Sequence, residues 1–228
     1  VVHEGIVSTT LGLKGIPALA EEIEIAKNLF LLEYTGGKLH IPTISSAKSV
    51  SLIKEAKQKG LQVTCSVAVH NLVLTDEILT EFDTRTKVLP PVRDEKHRQA
   101  LINGVLDHTI DMITSDHNPL DIEHKKMEYD KASFGTIGLE SAFAALQTVL
   151  PTKVIIDKLT SAKSTFSIPS YTININQKAN LTLFTPNSEQ EFTKSDIYSK
   201  SKNAIFLKHK TKGKVYGILN NNKLIINE

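Results

Sequence analysis

The sequence predicts an α/β fold, with parallel strands alternating with helices and a smaller all-β segment after them. Three observations point there. Helix-like and strand-like stretches alternate through the first two-thirds of the chain, helical periodicity stops near residue 168, and short β-branched runs separated by turn residues follow. A boundary near residue 168 divides the chain into 1–168 and 169–228.

Each element has its own warrant. Ala18 to Tyr34 sets Ile23, Ala26, Phe30 and neighbouring apolar residues at three-to-four spacing between Pro17 and Gly36-Gly37, which reads as a capped amphipathic helix. Lys38 to Ile44 reads as a short strand. Ser45 and Ser46 are N-cap candidates for a second helix, whose inner face is Ala47, Val50, Ile53 and Ala56 and whose stop is Gly60. Leu61 to Val69 is a β-branched strand, Asp94 to Leu106 a helix, Thr109 to Thr114 an apolar strand, and Leu139 to Leu150 a helix closed by Pro151. Past residue 168 the strands are Tyr171–Ile175, Leu181–Phe184, Lys214–Leu219 and Lys223–Ile226. The last two flank Asn220-Asn221-Asn222, residues that tolerate the left-handed backbone of a tight hairpin. The lysine-rich stretch 194–214 reads as a solvated face.

Composition narrows the function classes. The 228 residues are 40% hydrophobic and 23% charged, and 27 basic against 25 acidic groups give a net charge of only +2, which favours neither nucleic acid nor an anionic membrane as partner. One cysteine excludes a disulfide framework and a cysteine-rich zinc module, so a reducing, cytoplasmic setting is expected. No apolar run reaches the ~20 residues of a membrane span, and no signal-peptide pattern opens the chain. The first residue is valine, which reads as processing or as a piece of a longer protein.

In parallel α/β folds the chemistry sits where strands end. Four such places stand out: His40 with Thr43 and Ser45; His70 and Asn71; Ser115, Asp116 and His117; and the rigid Lys87–Arg93 loop with its double proline. Imidazole and carboxylate groups leaving different strands can share one metal, and a carboxylate beside a metal-bound water can take its proton. His40 reads as an ordinary hydrogen-bonding histidine, and His70 fits either role. Asp116-His117 reads as functional, because burial does not explain two adjacent titratable groups at the end of an apolar strand. Cys65 reads as a small core residue.

The run Gly12-Leu13-Lys14-Gly15-Ile16-Pro17-Ala18 with Ala20-Glu21-Glu22, the His40–Ser45 strand, Val63-Thr64, Lys87 to Arg93, Ile110-Asp111, Thr114 to Pro119, Phe134-Gly135 and Gly138-Leu139-Glu140 resembles, in order and spacing, the dihydroorotases. The likeness is to the type I, multifunctional-complex-like branch of the metal-dependent amidohydrolase superfamily, with a weaker echo at 179–184 and 212–223. It implies the C-terminal half of an amidohydrolase-type (β/α)8 TIM barrel, with part of a small β-sandwich as appendage. It also implies zinc-dependent interconversion of carbamoyl-aspartate and dihydroorotate in pyrimidine biosynthesis. On this resemblance His70 and Asp116 are metal ligands, Asp116 moves the proton, and Phe134-Gly135 lies in the substrate loop.

The departures from the family pattern are specific. Thr43 stands at the fifth-strand metal histidine, Leu89 at a substrate asparagine, Leu120 at a substrate histidine, and Asn71 at the second histidine of the sixth-strand pair, where it remains a candidate substrate contact. A hydroxyl is a poor zinc ligand and leucine makes no hydrogen bonds. The family's His-x-His pair, its substrate arginine and its bridging acidic group would precede Val1. Two readings result: a dihydroorotase-like cyclic amidohydrolase, or a non-catalytic homologue serving as a structural subunit, for example with aspartate carbamoyltransferase or as a homodimer. A metal-free binder of a less polar small molecule is a third.

Overall fold

A computed structural model describes residues 1–170 and 172–226. The chain opens with β1 (Val2–His3), α1 (Ile6–Leu11) and β2 (Gly15–Ile16), β1 and β2 pairing in parallel. Then come α2 (Ala18–Thr35), β3 (Leu39–Ile41), α3 (Ala47–Gln58), β4 (Val63–Ala68), the short α4 (Val69–Val73), α5 (Glu95–Leu106) and β5 (Met112–Thr114). Strands β3, β4 and β5 form a parallel sheet in that order, with His40 beside Thr64, Ser66 beside Met112 and Ala68 beside Thr114. Helices α6 (Ala142–Leu146), α7 (Thr152–Thr160) and α8 (Ala162–Thr165) follow, and β6 (Leu181–Glu191), β7 (Lys210–Asn220) and β8 (Lys223–Ile226) make a separate antiparallel sheet.

The period-two pattern of β4 decides which side of the parallel sheet does what. Val63, Cys65 and Val67 are buried in the main core with Val50 and Ile53 of α3, Leu101 and Val105 of α5, and Ile155 of α7. On the opposite side, His40, Ser66, Met112 and Thr114 line a cavity of ≈ 730 Å³, which Asp116 also reaches. The helix cap expected for α3 forms, Ser46 accepting the Ser49 amide, and α5 starts after Asp94, whose side chain accepts the His97 amide. The asparagine hairpin forms too, with Asn220 paired to Lys223 and positive φ at both Asn221 and Asn222, the signature of a type I′ turn.

The structure corrects several expectations. Helix α2 forms as expected and buries Ile25, Leu29 and Leu32, while Ile23 and Phe30, two of the apolar residues singled out in the sequence, are exposed. Regular helix between residues 139 and 150 is confined to α6. Tyr171 lies outside the described residues, and 172–175 carry no strand, with Ile173 and Ile175 exposed. Within the lysine-rich stretch, Ala204, Ile205 and Phe206 enter the main core along with Ile197, so that stretch is a solvated face only in part. No helix among the described residues is long and apolar enough to cross a membrane.

Candidate active site

His70 enters the first turn of α4 directly from the end of β4, and it is buried with no hydrogen-bond partner at Nε2. Burial pulls its pKa down to about 4, so at neutral pH the ring is uncharged. Asp116 stands two residues beyond β5 in the left-handed region, φ +48°, with its amide donating to Thr114 Oγ1 at 3.2 Å. Its Oδ2 lies 3.9 Å from His70 Nε2, and burial raises its carboxyl above the usual range. The two exits thus converge on one point.

The loop after β5 is held from the other side. His117 Nδ1 accepts the amides of Gly138 and Leu139 at 3.3 and 3.4 Å, so it organises the loop by hydrogen bonding. A Cβ on Gly138 would fall 2.2 Å from the Ser115 carbonyl oxygen, an approach only glycine permits. Thr43 shares the cavity with Asp116, has φ +45°, and donates its amide to Ser66 Oγ at 3.0 Å. His40 bonds Thr64 Oγ1 through Nδ1 at 2.9 Å and meets the edge of Phe166, an ordinary pairing.

The remaining sequence candidates lie around this centre in different relations to it. Asn71 follows His70, is buried, and donates Nδ2 to the Pro91 carbonyl at 2.9 Å, while its Oδ1 has no partner. Gly135, at φ +136°, donates its amide to Lys87 O and accepts from Asn203 Nδ2, each at 3.0 Å, so internal bonds already engage its backbone. The Phe134 ring lies 5.2 Å from Lys87 Nζ, and its carbonyl accepts from Asn118 Nδ2. Leu89 is exposed, and Leu120 lines a separate cavity of ≈ 680 Å³.

A buried polar network beside the site escaped the sequence reading. Glu21 accepts the amides of Ser45 and Ser46 at 2.8 and 3.0 Å and the Ser49 hydroxyl at 2.6 Å. Arg93 donates Nε to Ser45 Oγ at 2.7 Å and Nη1 to His3 Nδ1 at 3.1 Å, and its Nη2 reaches Glu21 at 3.4 Å. Glu21-Glu22 followed by serines in the next loop is the signal that could have found it.

Among the described residues one group of three potential ligands, His3, Asp94 and His97, brings its ligand atoms within 4.8 Å of one another. Its hydrogen bonds argue against an ion. Arginine only donates, so His3 Nδ1 accepts from Arg93, and His97 Nδ1 accepts from the Ala47 amide at 2.9 Å. Both rings therefore carry their proton on Nε2, where a metal would need a lone pair. His70 differs. Its Nε2 is buried and unpartnered and faces Asp116 Oδ2 at 3.9 Å, an imidazole nitrogen and a carboxylate oxygen of the kinds that would hold zinc.

The chain is 40% identical over 220 residues to a dihydroorotase of Pelotomaculum thermopropionicum, with 93% of this chain and 52% of that protein covered. A dihydroorotase of a Thermoanaerobacter species is 42% identical over 221 residues, covering 94% of this chain and 51% of the relative. The chain is homologous to the dihydroorotases. It spans about half the length of the curated relatives it matches. No family model matches. In fold it resembles the L-hydantoinase of Arthrobacter aurescens, with a TM-score of 0.85 at 22% identity over 92% of this chain and 49% of that one. The dihydropyrimidinase of Brevibacillus agri gives 0.81 at 20% identity, covering 92% and 49%.

Proposed function

We propose that the chain forms the C-terminal half of a dihydroorotase-type (β/α)8 barrel with part of its β-sandwich, and that it contributes to the interconversion of carbamoyl-aspartate and dihydroorotate in the cytoplasm. The unpartnered, uncharged His70 Nε2 facing Asp116 carries this reading. His70 and Asp116 would hold zinc, which when bound supplies Lewis-acid polarisation of the ring amide and an acidified water. Asp116, with its carboxyl raised by burial, is suited to accept and return a proton at Oδ2. Asn71, with one amide oxygen unsatisfied, and the Phe134-Gly135 turn, braced by Lys87 and Asn203, would border the substrate.

Titration of the protein with Zn²⁺, followed by calorimetry, tests the ligand assignment. One equivalent is expected to bind, with His70→Ala and Asp116→Asn each weakening it at least tenfold. Binding that ignores both substitutions overturns it. Turnover of dihydroorotate is measured in parallel.

Three positions favour a second reading, a non-catalytic subunit. Thr43 lacks an imidazole, Leu89 points to solvent, and Leu120 lines a different cavity from Asp116. Copurification with aspartate carbamoyltransferase, together with activity that appears only in a Thr43→His/Leu89→Asn/Leu120→His protein, would decide for it.

A further inference from the structure

His3 and His97 meet edge to face, their ring centroids 5.4 Å apart, and each accepts at Nδ1 from a donor on another element. His3 Nδ1 accepts from Arg93 Nη1 at 3.1 Å, and His97, in the first turn of α5, accepts the Ala47 amide at 2.9 Å. Ala47 is the first residue of α3, and its N–H is one of those a helix cannot satisfy internally. Both bonds require a bare nitrogen. A second proton on either ring would set an N–H against an N–H, and on His97 it would also place a cation at the positive end of α3.

The charges around the two rings pull in opposite directions. His3 is faced by Arg93, by His97, and by Asp94, whose Oδ2 is 3.7 Å from Nε2. Asp76 Oδ2 and His3 Nε2 also lie within 4 Å of the point where a Gly5 Cβ would stand. His97 is faced by Asp94, Arg93, Glu22 and Lys96. The carboxylates favour protonation, whereas burial and the cations oppose it. Burial is the largest influence on both imidazoles, and both lie below the ordinary histidine value.

We infer that His3 and His97 form an acid-sensitive latch, which ties β1 and the start of α3 to the head of α5. Protonation loosens segment 43–47 from two sides. Arg93, which also donates to Ser45 Oγ at 2.7 Å, loses its His3 acceptor, and Ala47 loses His97. Thr43, at the head of that segment, lines the Asp116 cavity, so the latch gives acid a route to the candidate site. Each ring titrates below its unfolded value of 6.5, so the open form binds the extra proton. The latch is therefore whole above about pH 6.5 and is lost as the pH falls below it. The inference does not depend on catalysis.

Amide hydrogen exchange of the intact chain, followed by NMR at about pH 7.5 and about pH 5, tests it. An imidazole that is neutral when closed and has its ordinary value of 6.5 when open can lower protection by at most about 30-fold at pH 5. The protection factor of the Ala47 amide is expected to fall at least about tenfold. The Ile110 amide, which bonds Gly104 O at 2.8 Å near the other end of α5, should keep its protection. His97→Asn offers an acceptor that does not titrate and should flatten the Ala47 response, and His3→Asn should do the same for exchange at Arg93 Nε. Ring ¹⁵N shifts at about pH 7.5 should place the proton on Nε2 in both histidines. A proton on Nδ1 of either ring, Ala47 protection that is equal at the two pH values, or an equal loss at Ala47 and Ile110 overturns the inference. So does a folded His97→Asn protein whose Ala47 amide still loses protection in acid.

Discussion

Gly138→Ala places a methyl 2.2 Å from the Ser115 carbonyl oxygen and 3.2 Å from its carbon. Ordinary carbon–oxygen contact needs about 1 Å more, and both partners are backbone, so no side-chain rotation relieves it. Neither segment yields easily: the Gly138 amide bonds His117 Nδ1, its carbonyl accepts the Ala142 amide at 2.9 Å, and Ser115 follows β5 directly. Overpacking in such a place costs about 1–3 kcal/mol, and the backbone-on-backbone contact puts this case at about 3. Gly12→Ala is the control, since its Cβ would meet nothing within 4 Å and the loss is only the strain of φ +69°, about 1–2 kcal/mol. Urea unfolding compares the two midpoints at constant m. A second readout, the ring ¹⁵N shifts of His70, follows the displacement of Asp116 and should move in Gly138→Ala but not in Gly12→Ala. A Gly138→Ala protein no less stable than Gly12→Ala, with unchanged His70 shifts, would refute the idea that this contact places Asp116.

Glu21→Ala is expected to cost about 3–5 kcal/mol in thermal or urea unfolding, because it strips a buried guanidinium and several donors of their acceptor, while Glu21→Gln should cost less. Burial and the nearby Lys87 hold the Lys125 ammonium at about 8, below its unfolded value near 10.5. The unfolded chain then binds the extra proton between those values, so stability rises as pH climbs from 8 to 10.5. The neutral amine keeps two N–H donors for the Thr84 and Lys87 carbonyls, and the pH rise should disappear in Lys125→Met. The Cys65 thiol is buried and pushed up to about 12, so a thiol reagent at pH 8 should label it only at the rate of chain opening. Labelling at the rate of a free thiol would contradict its placement.

Much of this molecule was legible in the sequence wherever a local rule and the packing agree. Ser46 caps the helix it precedes, Gly36 ends α2, and Asn221-Asn222 turns the last hairpin, because each needs only neighbouring backbone. The inward face of α2 was not legible. Its sequence carries two apolar stripes, and periodicity alone cannot say which one meets the sheet. The convergence of His70 and Asp116 was inferable only as strand-end placement, since their separation depends on the register of β4 with β5. The Glu21–Arg93 network joins residues far apart in the chain, which no local pattern reveals.

The two readings of the site separate on what the fold itself requires. Gly138, His117 and Thr114 brace the Asp116 turn through contacts that also hold the chain together, so an intact turn by itself says little about catalysis. Leu89 is exposed, and its side chain contributes little to folding, so that position can lose a polar group at small cost. The informative atom is one the fold would do better without. A buried imidazole nitrogen with no partner costs about 1–3 kcal/mol, a penalty that an apolar side chain of similar volume would avoid. His70→Leu should therefore leave the metal-free chain at least as stable as the parent. If it does, the imidazole is held there against the interest of the fold, and its Nε2 acquires a partner only from outside the chain. If His70→Leu instead destabilises the protein by several kcal/mol, the histidine is structural and the subunit reading gains.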